Sequence, residues 1–176
     1  SSDLCRELTS SLSLDVVLEK TVEATLESTG VDRATLWILE GGIARRGAAR
    51  GIQVGRDDDT WDLDGPTLER LARSSEPLHS SDLRADGLPP EFRSGDRDGR
   101  QRRRLGSGAL VPLPSPTGPV GILTAGTVDP AEFRKADLRI IASVPQQASL
   151  AIETARIHTT TQALSLTDSL TGLPNR

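Results

Sequence analysis

The stretch "RATLWILEGGIARRGAAR", residues 33–50, restricts the fold more than any other part of the chain. Ala34, Leu36 and Ile38 alternate with Thr35, Trp37 and Leu39, which predicts a strand with both faces partly covered. Gly41-Gly42 suits a two-residue hairpin turn, because glycine accepts the positive φ that such turns need. Ile43 to Arg50 is then the returning strand. A second hairpin follows from "GSGALVPL", a Pro-Ser-Pro-Thr-Gly turn and "PVGILTAGTV". Two hairpins in one chain call for an antiparallel sheet, and the remaining segments must cover it.

Those segments are helical. Leu4, Leu8 and Leu12 recur about every four residues. Ser13 is placed to cap a new helix with Leu14, Val17, Leu18, Val22 and Leu26 on one face, ended by Gly30. "DGPTLERLARSSEP" predicts another helix, with Pro66 in its first turn and Leu68, Leu71 and Ala72 turned inward. Pro77-Leu78-His79 reads as a short edge strand. Residues 80–104 are charged, rich in Pro and Gly and without aliphatic periodicity, so they predict a long loop with a short helix near Pro90 to Arg93. Asp129-Pro130-Ala131-Glu132 has the spacing of a capping box. Helix is expected from there to about Leu166, kinked or restarted at Pro145. The order helix, hairpin, helix, edge strand, loop, hairpin, helix is that of an α+β domain.

The closing helix carries two stripes. Ile141, Val144, Ala148, Ala151 and Ala155 suit packing on the sheet. Leu150, Ile157 and Leu164 are spaced by seven and point the other way, with Thr154 and Thr161 at the complementary heptad positions. At about 1.5 Å per residue, Ala136 to Leu166 spans roughly 45 Å, more than a domain of this size is wide. Its far end is expected either to meet a partner helix or to lead to another domain.

Composition narrows the function classes. The 176 residues carry a net charge of −4 and only four aromatic side chains of the Trp, Phe and Tyr types, Trp37, Trp61, Phe92 and Phe133. Both facts argue against a nucleic-acid binder. One cysteine, Cys5, allows no internal disulfide and no cysteine-based zinc site. No metal site is expected. No apolar run approaches the roughly 20 residues of a membrane span, and no signal peptide is present. The expectation is a cytoplasmic piece of a longer protein, without direct membrane contact.

With these residues in view, the chain resembles a GAF domain over roughly Leu12 to His158. "LGSGALVPLPSPTGPVGILTAG" is similar to the central hairpin of that family, "EFRKADLRIIASVPQQASLAIETARI" to its closing helix and "VDRATLWILE" to its first strand. The resemblance implies a GAF-like antiparallel sheet with helices packed on one face, long N- and C-terminal helices and a ligand pocket on the other face. Members are mostly sensory modules, and many dimerise. Residues 168–176 carry a separate resemblance, to the opening motif of the GGDEF domain of diguanylate cyclases, at Asp168, Leu170, Thr171, Gly172, Leu173, Asn175 and Arg176. The implied organisation is a helical lead-in over 1–12, a GAF domain over 13–158, a helical linker over 159–167 and the start of a GGDEF domain over 168–176.

The function implied is a regulatory and dimerisation module of a bacterial diguanylate cyclase, itself without catalysis. It would bind a small ligand and act on a GGDEF domain that makes cyclic di-GMP. The alternatives are a ligand-free dimerisation scaffold and a sensor bearing haem or a chromophore. The cofactor is unknown. Candidate ligand-binding residues are Trp37, Trp61, His79, Arg102, Arg103, Arg104 and Ser107. Arginines suit phosphate or carboxylate through bidentate hydrogen bonds, although Asp96 and Asp98 offset the cluster and a solvated loop is the plainer reading. His79 and His158 are the candidate haem ligands. Cys5 lies ahead of the sheet, a poor place for a bilin thiol, and reductase members use several cysteines. Of the cyclic-nucleotide pattern, Phe133 and Asp137 are present, Leu138 replaces the Glu, and the only Asn is Asn175. The dimer and signalling helix is expected to use Leu150, Thr154, Ile157, Thr161 and Leu164, in a homodimer paired through its helices.

Overall fold

The computed structural model describes residues 2–54, 58–74, 76–93, 96–97, 100–101 and 103–157; for 2–12, 96–97 and 100–101 it describes the backbone. A single helix, α1 (Ser2–Ser28), opens the chain. The expected break at Ser13 is absent. The segment contains neither Gly nor Pro, and serine costs a helix interior only a few tenths of a kcal/mol, so the helix runs through. Its inner face carries Leu18 and Val22, with Thr21 and Thr25 also buried. The hydroxyls of Thr21 and Thr25 donate to the carbonyls four residues earlier, at 2.7 and 2.8 Å, which lets them face a core without an unsatisfied group.

Strands β1 (Arg33–Glu40) and β2 (Ile43–Gly51) form the first hairpin. Gly41 and Gly42 hold φ of 57° and 85°, the left-handed pair required by a two-residue turn that matches strand twist. A short strand β3 (Thr60–Asp62) pairs with β2, so Trp61 stands on a strand opposite Ala44. Then come α2 (Gly65–Arg73), β4 (Leu78–His79) and a small hairpin of β5 (Asp96–Arg97) and β6 (Arg100–Gln101). The second large hairpin is β7 (Ser107–Leu113) and β8 (Gly121–Thr127). The sheet order is β3-β2-β1-β8-β7-β4, with every pairing antiparallel.

Asp129 does cap a turn, but of a different helix from the one expected. It accepts from the Ala131 N–H, at 3.0 Å, over the 3-10 turn Pro130–Glu132. Phe133 is then extended, its ring packs on the helix face of the sheet, and α3 (Lys135–Ser143) starts afresh with Asp137 Oδ2 accepting from the Arg134 N–H. Pro145 acts as expected: α3 ends before it and a fourth helix, α4, occupies residues 146–157. Ile141 and Ala148 are fully buried, and so is Ile152, which the expected stripe omitted.

The fold is an α+β sandwich of the expected kind. Leu18, Val22, Leu36, Val111, Leu123, Ile141 and Ile152 belong to one aliphatic core between the sheet and α1, α3 and α4. Helix α2 adds cover on the second face, where Leu71 joins Trp37, Leu39, Ala44, Trp61, Leu110 and Ile122. Ala72, expected to face inward, is exposed, because only Thr67 and Leu71 of this helix are buried.

Candidate functional site

Strand alternation sends Arg33, Thr35, Trp37 and Leu39 of β1 to the second face. Thr124 and Ile122 of β8 stand beside them, paired with Thr35 and Trp37. Trp61 arrives from β3 and meets Trp37 edge-on, with ring centroids 5.9 Å apart and planes at 68°. Two of the expected binding residues are thus brought together.

Between β4 and β7, the described residues 80–93 close this face with a series of 3-10 turns. Pro89 and Pro90 set up the 3-10 turn Pro90–Phe92, in which Phe92 N–H donates to Pro89 O. The Leu105 N–H donates to Glu91 O at 3.0 Å and ties the far end of the segment to the turn. Phe92 lies over Gly126 of β8, where an added Cβ would stand 3.1–3.2 Å from the ring. Arg93 braces the preceding turn by donating to the carbonyl of Leu88 at 2.7 Å.

This closure drives Glu91 inward. It is 1% exposed. Thr124 Oγ1 donates to Glu91 Oε1 at 3.0 Å and accepts from Trp37 Nε1 at 3.1 Å. Arg33, 4% exposed, places Nε 3.4 Å from Glu91 Oε2 and donates from Nη1 to Ile52 O. The result is a buried chain of polar groups, Trp37–Thr124–Glu91–Arg33, laid across β1 and β8. Such an ion pair adds little net stability over an apolar filling, but removal of one member costs about 3–5 kcal/mol. Two further polar atoms on this face, Thr35 Oγ1 and Trp61 Nε1, have no hydrogen-bond partner among the described residues. An unmade bond of that kind costs about 1–3 kcal/mol, so a site that retains two is suited to receive something that makes them.

The other expected residues are elsewhere. His79 pairs with Ala109 and therefore points to the helix face, where its ring meets Phe133 with centroids 5.4 Å apart. Its Nδ1 accepts from the Ser81 N–H and its Nε2 is bonded to Ser107 Oγ at 3.1 Å. Both ring nitrogens are engaged, so His79 and Ser107 fit a structural bracket at the β4 edge rather than a haem ligand. Arg103 and Arg104 are exposed. Arg102, His158, Thr161, Leu164 and the stretch from Asp168 to Arg176 lie outside the described residues. Among the described residues no group of three or more His, Cys, Asp or Glu could hold a metal, and no helix is long and apolar enough to cross a membrane.

Arg33, Thr35, Glu91 and Thr124 escaped the sequence reading. One signal was available: Arg33, Thr35 and Trp37 share one strand face at period two, a polar-aromatic face opposite an aliphatic one.

On α4, Leu150 is 65% and Ile157 62% exposed, with Thr154 exposed between them, so the predicted outward stripe exists as far as it is described. The inner side of α4 is fixed to the sheet by Ala148 and Ile152, and Ser149 Oγ donates to Pro114 O. An open cleft of about 540 Å³ separates Leu71 and Ala72 of α2 from Ser149, Leu150 and Glu153 of α4. Helix α2 begins at Asp64, whose side chain accepts from the Thr67 N–H at 2.7 Å. Hydrogen bonding to the Thr67 side chain, then to its backbone, holds the Asp64 carboxyl below the usual carboxylate range, with smaller help from Arg84 and Arg93.

Comparison with known proteins agrees with this geometry. The sequence profile of the GAF domain matches residues 11–153. No curated protein matches the chain significantly. Among solved structures, the chain is similar to the GAF domain of an Acinetobacter phosphoenolpyruvate-protein phosphotransferase (TM-score 0.60, 18% identity, 89% of this chain and 93% of that one). It is similar also to the type II free methionine-R-sulfoxide reductase of Thermoplasma acidophilum (TM-score 0.61, 16% identity, 82% and 96%). A third is the blue-light absorbing form of the Thermosynechococcus elongatus PixJ GAF domain (TM-score 0.60, 15% identity, 90% and 94%). At these identities the likeness is one of fold.

Proposed function

Because the chain belongs to the GAF domain family of sensory and regulatory modules that bind small ligands, we propose that it binds a small ligand on the second face of its sheet and passes the event to a GGDEF domain through α4. The observation that carries this reading is the closed second face, with two tryptophans, a buried ion pair and two buried polar atoms left without partners. Helix α2 stands between that face and the cleft beside α4, so a ligand that moved α2 would alter the surroundings of Leu150. A homodimer paired through Leu150, Thr154 and Ile157 converts such a change into a change of helix pairing. The resemblance of Asp168 to Arg176 to a GGDEF opening motif supports a diguanylate cyclase as the output and a cytoplasmic setting. The module itself is not an enzyme in this reading. The ligand must bind the two helix arrangements with different affinity for the pairing to shift.

Thermal-shift measurement against a nucleotide and metabolite panel tests the binding step, and native mass spectrometry tests the dimer. A ligand that raises the melting temperature, and a dimer lost in Leu150→Ser/Ile157→Ser, are the expected results. Incubation of the 176-residue chain with GTP and magnesium is expected to give no cyclic di-GMP. One observation favours a second reading, a ligand-free dimerisation scaffold: Glu91 and Phe92 already occupy the second face. A dimer that persists while every compound of the panel leaves the melting temperature unchanged would select it.

A further inference from the structure

We infer that Glu91 stands in for a ligand's carboxylate: the second face takes a small carboxylic acid, which displaces Glu91 from Arg33 and Thr124 and pushes the Pro90–Phe92 turn outward. This rests on the second face being the ligand site. The two halves of the polar chain are mounted differently. Arg33 and Thr124 are on β1 and β8, central strands held on both sides by hydrogen-bonded neighbours. A guanidinium 4% exposed and a hydroxyl fully buried make a receptor for a carboxylate. The carboxylate they hold, by contrast, is carried on a three-residue 3-10 turn in the segment that joins β4 to β7. A ligand carboxylate can take the place of Glu91 only if that turn moves.

Charge then selects the ligand. A neutral or cationic compound that displaced Glu91 would break the ion pair of a buried guanidinium and bring no negative charge in its place, which is unfavourable. A carboxylate replaces like with like. It also brings what the closed form lacks, since an acceptor on the same molecule can meet the unpartnered Trp61 N–H or Thr35 hydroxyl. The closed form therefore competes with its own ligand, and the competitor is intramolecular. Its removal must raise the apparent affinity.

The chain's two tryptophans both line this face, so their emission reports on it directly. The experiment titrates acetate, succinate and benzoate, with acetamide, succinamide and benzamide as neutral matches, at constant ionic strength set with chloride. The wild type, Glu91→Gln and the double variant Arg33→Gln/Glu91→Gln are compared. The expected result is a saturable change with at least one acid, about tenfold or more tighter in Glu91→Gln than in wild type, silence from the amides, and loss in the double variant. If Glu91→Gln does not fold alone, the melting curve is the readout: the acids restore folding and the amides do not. Equal affinity in wild type and Glu91→Gln, no rescue of an unfolded Glu91→Gln, equal response to the amides, or binding retained in the double variant overturns the inference. A neutral or cationic metabolite that binds and changes the emission, while all acids fail, overturns it and leaves the ligand-sensor reading standing.

Discussion

On the helix face of the sheet, Leu18, Val22, Leu36, Val111, Leu123, Ile141 and Ile152 meet side chains of their own kind. On the second face, Trp37 and Trp61 share the interior with Arg33, Thr35, Glu91 and Thr124. Both faces are equally dry, yet their physics differs. Aliphatic burial on the first stabilises by about 1.5–3 kcal/mol for each large side chain and needs no partner in a particular direction. The polar groups of the second face each require one, and two of them lack it. A sheet that keeps such a face against the pull of stability fits the binding role proposed for it, whereas its other face serves to hold the strands in register.

That contrast can be broken by mutation. The largest effect is expected from Arg33→Met, which takes the guanidinium away from the buried Glu91 and costs about 3–5 kcal/mol, whereas Arg33→Met/Glu91→Leu together return to within about 1 kcal/mol of wild type or exceed it. Urea melts of the two variants and the parent measure this, and a double variant as unstable as the single one would remove the distinction between the faces. Leu36→Ala, on the aliphatic side, costs about 3 kcal/mol through the cavity it leaves, and no second truncation nearby repairs it; chemical denaturation of Leu36→Ala with and without Leu123→Ala checks this. Thr35→Val should go the other way and stabilise the ligand-free protein by about 1 kcal/mol, because it deletes a buried hydroxyl without a partner. A lower melting temperature in Thr35→Val would mean that the hydroxyl is satisfied. The smallest effect concerns the cap of α2. The Asp64 carboxyl is lowered in the folded state, so its contribution is complete above the ordinary carboxylate value of about 4 and fades as pH falls through the folded value. Asp64→Ala should cost about 1 kcal/mol at neutral pH, with the difference from wild type shrinking in melts below about pH 4. A difference that stays constant into acid would assign the cap to another group.

Local features were legible where a local rule fixes them. Gly41-Gly42 announced a turn because few other residues accept its φ values, and Pro145 announced a helix break because it has no N–H to give. The outward placement of Leu150, Thr154 and Ile157 followed from helical spacing. The candidate site was legible only in part. Trp37 and Trp61 were singled out as large contact surfaces, and they do meet. Glu91 was not singled out within the expected loop and its short helix near Pro90 to Arg93, because Pro-Pro-Glu-Phe carries no periodicity to show that it is buried. Its partner Arg33 belongs to a strand far away in the chain. His79 failed for a related reason: its face is set by the register of a two-residue strand against β7, which the dipeptide alone does not contain.

The sequence by itself determined the two large hairpins, the break at Pro145 and the outward stripe of the closing helix as far as it is described, since turn chemistry and periodicity act within a few residues. Only the tertiary structure decided that the Pro90–Phe92 turn closes over β1 and β8 and that its glutamate meets an arginine and a threonine there. Which buried charge finds which partner is settled by packing between distant segments: the burial of Phe92 against Gly126 carries Glu91 in with it.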